Sequence, residues 1–184
     1  VMGGLMQPRG GIARHDAVAW GLARGAYNAG VDIIENCAVL GFDQAGGRIN
    51  QVKTSMGTIA VDKVGMAVAG HSSEVARMLD IPLPITSMAL QAMVSEPIKP
   101  VLETAFISPP IHMYVSQSDR GEIVLGGRAD IYNSYAQRGG IPTIEDNVAA
   151  LLELVPRFSR LKLMRQWAGI VDISPDTSPI LGKT

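Results

Sequence analysis

RGGIARHDAVAWGLARGAYNAGVD, residues 9–32, is the stretch from which the rest of the chain is read. Gly10 and Gly11 mark a turn, and the helix that follows carries Asp16 in its first turn, where a carboxylate favours the positive end of the helix dipole. Ala17, Trp20, Leu22, Ala23 and Tyr27 supply a broad apolar face, with Arg24 outside it. Gly30 provides a left-handed stop before a strand begins at Val31. A Gly-rich turn thus delivers His15 to a helix start. On the residues alone, a lone histidine there fits a capping or hydrogen-bonding role better than a chemical one.

Downstream, residues 31–35 (VDIIE) and 38–43 (AVLGFD) have strand patterns, residues 44–47 form a turn, and residues 49–55 and 58–61 read as a hairpin through Met56 and Gly57. Residues 63–69 (KVGMAVA) form a continuous apolar run ending at Gly70, as expected of a strand buried on both faces of a parallel sheet. Ser72 and Ser73 then lead into a short helix over 74–79. From Pro82 the character changes. Prolines separate extended segments at 87–95, 105–108, 111–117 and 122–126, with a hairpin turn at Asp119–Gly121, so an antiparallel sheet follows an α/β part. His112 and Tyr114 alternate in one of these strands and would share a face, and Arg128 follows the neighbouring strand. A helix runs from about Thr143 to Leu154 and ends at Pro156. A long strand over 161–173 bends at Gly169, Trp167 reads as core, and Asp176 fixes the turn after it.

Composition narrows the classes. The 184 residues carry 47% hydrophobic side chains, enough for a sizeable core. Sixteen basic against 17 acidic residues give no electrostatic case for nucleic acid or an acidic membrane surface. No segment approaches the roughly 20 apolar residues of a transmembrane helix. Cys37 is the single cysteine, which excludes an internal disulfide and makes a reducing, cytoplasmic compartment the simplest expectation. Three scattered histidines form no metal-ligand pattern, and no Walker A loop or nucleophile elbow is present.

The segment QPRGGIARHDAVAWGLARGAYNAGVDIIENCAVLGF, residues 7–42, resembles the β subunits of heterotetrameric sarcosine oxidases, in the D-amino-acid-oxidase-like family of FAD-dependent amine oxidoreductases. The resemblance in fold extends over nearly the whole chain. It implies α/β plus α+β architecture: the middle of a Rossmann-like FAD-binding domain over 1–81, an antiparallel substrate domain over 82–163, and a return to the FAD-binding domain over 164–184. The family's GxGxxG unit would lie upstream and its Gly-rich flavin loop downstream, so the chain reads as an internal piece that does not by itself close an FAD site. The resemblance places covalent FMN on His15, and noncovalent FAD near Val39, Ala69, Gly70, Gly169 and Ile170. It expects glycine at 70 because a side chain would collide with the cofactor. His71 is then a polar loop residue near the cofactor. The sheet would roof the flavin ring, with Tyr114 and Arg128 toward the substrate.

The implied reaction is oxidative demethylation of sarcosine, with oxygen reduced to hydrogen peroxide and the one-carbon unit passed to folate on a partner α subunit. A related oxidase or dehydrogenase for dimethylglycine, glycine or proline is the alternative within the family. A structural module without cofactor is the alternative outside it.

Overall fold

The computed structural model describes residues 3–183, which divide into two compact units. The first comprises residues 4–66 and 77–81. Its helix α1, His15–Asn28, follows a turn closed by the Gly10 N–H on the Gln7 carbonyl at 3.0 Å. The Asp16 carboxylate accepts the Ala17 N–H at 2.8 Å, which holds it below the usual carboxylate range. At the far end Gly30, with φ +88°, donates to the Tyr27 carbonyl and Val31 to that of Ala26. This paired bonding beyond a left-handed glycine is a Schellman stop. No residue of α1 is buried. Leu22 projects from the side of Val18, away from Trp20 and Tyr27, so the single apolar face expected of this helix is divided.

The strand expected over 31–35 does not form. No described strand bonds to it, Val31, Ile33 and Ile34 are exposed, and Asn36 turns the chain with φ +55°. An antiparallel sheet β1-β2-β3 follows: Val39–Ala45, Arg48–Thr54 and Gly57–Ala60. Gly46 and Gly47, both with positive φ, make the two-residue turn whose twist suits a hairpin. The second turn is Ser55–Met56, one residue earlier than the sequence indicated. Thr54 Oγ1 accepts the Met56 N–H and donates to the Gly57 carbonyl, which fixes that register.

The second unit comprises Gly3 and residues 67–76 and 82–183 within the described range. The run over 63–69 pairs with no described strand and turns at Val68 (ψ 15°) and Ala69, with Val64, Met66 and Val68 exposed, so the buried parallel strand expected there is absent among the described residues. A 3₁₀ turn, Ala69–His71, leads into helix α2, Ser72–Arg77. The hydroxyl of Ser72 donates to the Ala69 carbonyl, so the serine braces the turn.

Five antiparallel strands form the main sheet in the order β5-β6-β7-β4-β8: β4 Thr86–Pro97, β5 Phe106–Ser108, β6 Met113–Gln117, β7 Glu122–Ala129 and β8 Leu163–Ile173. Helix α3, Ile141–Leu154, covers one face. Met93, Met113, Val115, Ile123 and Leu125 are buried against Ala150 and Leu151, which the two-residue period of the strands places on one side. Gly140 is the α3 N-cap, with Pro142 in the first turn where its missing N–H costs nothing. β8 pairs with β4 in unbroken register from Thr86↔Ile173 to Val94↔Arg165, so Gly169 lies in regular strand and the bend expected there is not made.

Candidate functional site

Antiparallel partners point to the same side of a sheet, so the register defines the face opposite α3. Tyr114 pairs with Gly126, Gly126 with Ala92, and Ala92 with Trp167. These four residues form one row across β6, β7, β4 and β8. Two small residues lie between two aromatic ones, and both are buried, Gly126 beneath the Tyr114 phenol. In the neighbouring row Leu90 pairs with Gly169. A Cβ built on Gly169 would meet no atom within 4 Å, so the backbone there is open to a flat partner. A Cβ on Gly126 would stand 2.6 Å from the Tyr114 hydroxyl and 2.6 Å from the Gln91 carbonyl, so the glycine lets the phenol lie across the strand. Burial pushes the Tyr114 pKa above 10, which keeps the phenol a hydrogen-bond donor at neutral pH.

His112 does not share this face as a strand residue. It ends the 3₁₀ turn Pro109–Ile111 in the left-handed region, φ +48°, before β6 begins. Gly127, φ +126°, abuts it: an added Cβ would be 2.7 Å from the His112 carbonyl oxygen. Between Leu90↔Ala129 and Ala92↔Gly126 the pairing advances two residues on β4 and three on β7. This bulge re-aims Arg128. Its Nη1 lies 3.9 Å from Asp146 Oδ2 of α3, and its Nη2 donates to the Ile111 carbonyl at 3.5 Å. Tyr114 and Arg128, expected together, therefore project differently: the phenol lies on the open face and the guanidinium is drawn toward α3.

Ala69, Gly70 and Ile170 are brought together. A Cβ on Gly70 would stand 2.4 Å from Ile170 Cγ2, so protein packing by itself already requires a glycine there. The Gly70 carbonyl accepts from Ser87 Oγ at 2.5 Å, and Ala69 holds φ +44°, an uncommon value for a residue with a side chain. His71 stacks at 5.1 Å on Tyr135. In the other unit, His15 is exposed as the first residue of α1, and Val39 opens β1 opposite Thr54.

The residues missed in the sequence are Ala92, Gly126 and Trp167 in its new role. Small residues in strands carry no local signal, and only the register joins them into a row. Trp167 is half-buried on this face, away from the α3 core that its size suggested.

A sequence model of the FAD dependent oxidoreductase family matches residues 1–184. The chain belongs to this family. It is 52% identical over its whole length to a sarcosine oxidase subunit beta from Rhodobacter capsulatus, and 51% identical to one from Arthrobacter sp.. The chain spans 44% and 45% of the length of those relatives. Among solved structures, L-proline dehydrogenase from P. horikoshii matches with a TM-score of 0.83 at 25% identity, over 91% of this chain and 46% of that one. Family membership makes FAD the cofactor and confirms a mixed fold of helices and antiparallel sheets. No described helix is long and apolar enough to cross a membrane, and no described cluster of side chains is arranged to hold a metal.

Proposed function

We propose that this chain supplies the substrate-facing sheet and the flavin tether of a sarcosine oxidase, within a protein that oxidises the N-methyl group of sarcosine. The observation that carries a flavin-facing role is Gly169, exposed in regular strand on the face opposite α3, two residues from the half-buried Trp167. A flat ring needs a surface without projecting side chains, and the bare backbone at Gly169 meets that requirement. Ala69, Gly70, Gly169 and Ile170, with Val39 assigned by family likeness, would hold noncovalent FAD, which would supply hydride acceptance when bound. The residues contribute placement. Tyr114 donates a hydrogen bond to the substrate, and Arg128, which the bulge draws toward α3, takes its carboxylate on leaving Asp146. Sarcosine as substrate is supported by the identities of about 50% to sarcosine oxidase β subunits.

The same reading places covalent FMN on His15. Exposure at the start of α1 leaves the imidazole accessible, and alkylation of one ring nitrogen leaves the other available for a hydrogen bond. Oxygen as terminal acceptor, a folate-binding α subunit that takes the one-carbon unit, the three-part domain division and a reducing cytoplasmic compartment belong to this proposal.

The test is acid precipitation of the native protein, co-expressed with its neighbouring subunits, followed by flavin fluorescence of the washed pellet. Flavin retained in the wild type and lost in His15→Ala is the expected result. Flavin that washes out of both reduces His15 to a helix-entry residue and favours a single-FAD amine dehydrogenase.

A further inference from the structure

Arg128 is a cation whose donors are poorly matched. Its side chain is 33% exposed, so much of the guanidinium has left water. Nε is buried and has no hydrogen-bond partner. Nη2 reaches the Ile111 carbonyl only at 3.5 Å, and Asp146 stands 3.9 Å from Nη1. A well-made guanidinium–carboxylate contact is at about 2.7–2.9 Å and engages two donors of the fork. Leaving a withdrawn charge short of such contacts is costly unless something else completes them. The bulge at Gly127 is a local backbone cost incurred where it directs this side chain.

Asp146 is the only carboxylate that the described contacts bring to this guanidinium, and it holds it loosely. It sits near the start of α3 with 63% of its side chain exposed, so it can return to water at little cost. We propose that Asp146 is an internal competitor for the anion position of Arg128, displaced when a substrate carboxylate engages the two terminal Nη donors as a bidentate pair. The inference rests on reading Arg128 as a carboxylate ligand and adds a regulator of its affinity. Asp146 holds the guanidinium in place without substrate and so weakens binding of every carboxylate that must replace it. Ligands lacking a carboxylate gain nothing from the exchange.

The experiment uses the native flavoprotein and propionate as the probe, with binding heat measured by calorimetric titration and KM and kcat measured separately for the amine substrate. Asp146→Asn keeps the shape and removes the competing charge. The expected result is propionate binding tighter by about two- to fivefold, the range set by a solvent-exposed ion pair, with a matching fall in KM. Arg128→Met is expected to abolish propionate binding. If Arg128→Met abolishes binding while Asp146→Asn leaves it unchanged, Arg128 is the carboxylate ligand and the competitor is refuted. Weaker binding in Asp146→Asn also refutes it, because Asp146 then orients the guanidinium. Wild-type binding in Arg128→Met overturns the reading of Arg128 itself. Asp146→Ser, with thermal unfolding matched to wild type, must change binding in the same direction as Asp146→Asn; an opposite change counts against competition.

Discussion

Replacing Gln91 tests whether a single buried amide holds the β7–α3 connection in place. Gln91 is 1% exposed on the α3 side of β4. Its Oε1 accepts the Gly140 N–H at 2.9 Å and Gln166 Nε2 at 2.7 Å, while its Nε2 donates to Asp130 Oδ1 at 2.6 Å. One side chain thus fastens both ends of the loop between Asp130 and Gly140, and fixes the α3 N-cap. The two neutral bonds are worth about 1 kcal/mol each, and the bond to the carboxylate about 2. Gln91→Leu removes all three and buries the Gly140 N–H without its partner. Asp130 regains water, which offsets part of the loss, so we expect destabilisation of about 2–4 kcal/mol. For a chain of this size that is a fall in Tm of about 5–15 °C. Gln91→Glu separates the terms, because it keeps the shape but turns an oxygen toward Asp130. The assay is thermal unfolding of the native protein together with tryptic cleavage after Arg138, inside the loop. Wild-type Tm and unchanged cleavage in both variants would refute the assigned role.

Gly70→Ala and Gly169→Ala should have opposite consequences. The first forces Ile170 aside and should cost about 1–3 kcal/mol in a denaturant titration, while the second meets open space and should leave stability nearly unchanged while lowering flavin content. Asp176 accepts the Ser178 N–H and the Ser174 hydroxyl, and the backbone bond in particular lowers its pKa from 3.8. A lowered folded pKa contributes stability above the unfolded value and loses it as pH falls through the folded one. Asp176→Asn should therefore flatten the acid limb of thermal stability below about pH 4. Tyr114 has the opposite sign: its raised pKa gives stability present below pH 10 and lost as pH rises through the folded value, so Tyr114→Phe should remove that alkaline loss in melts at successive pH values.

The sheet was legible because its signals are local. Pro-bounded extended runs, the Asp119–Gly121 turn and the helix ending before Pro156 all appear where the sequence put them, since turn chemistry and apolar alternation depend on neighbouring residues. The runs over 31–35 and 63–69 failed for a different reason. Their apolar content states what they would bury, whereas a strand exists only where another backbone bonds to it, and no described strand does so. The left-handed His112 and the Gly127 bulge were also invisible, because both arise from the way β6 and β7 meet. Arg128 shows the functional cost of that gap. Its type and position suggested a partner for Tyr114, but a one-residue bulge sends it toward Asp146.

The site therefore divides by what each residue contributes. Gly169 offers an absence of bulk on regular backbone, which many sequences sharing the register can provide, whereas Gly126 makes room for the Tyr114 phenol. In the proposed function Tyr114 and Arg128 act through particular atoms near the start of β6 and the end of β7, where backbone with positive φ departs from regular pairing. A change of substrate would then require only new side chains or a shifted bulge at that end. Under the proposed function, selectivity would therefore be sought at the bulged strand ends and flavin seating at the open backbone of Gly169.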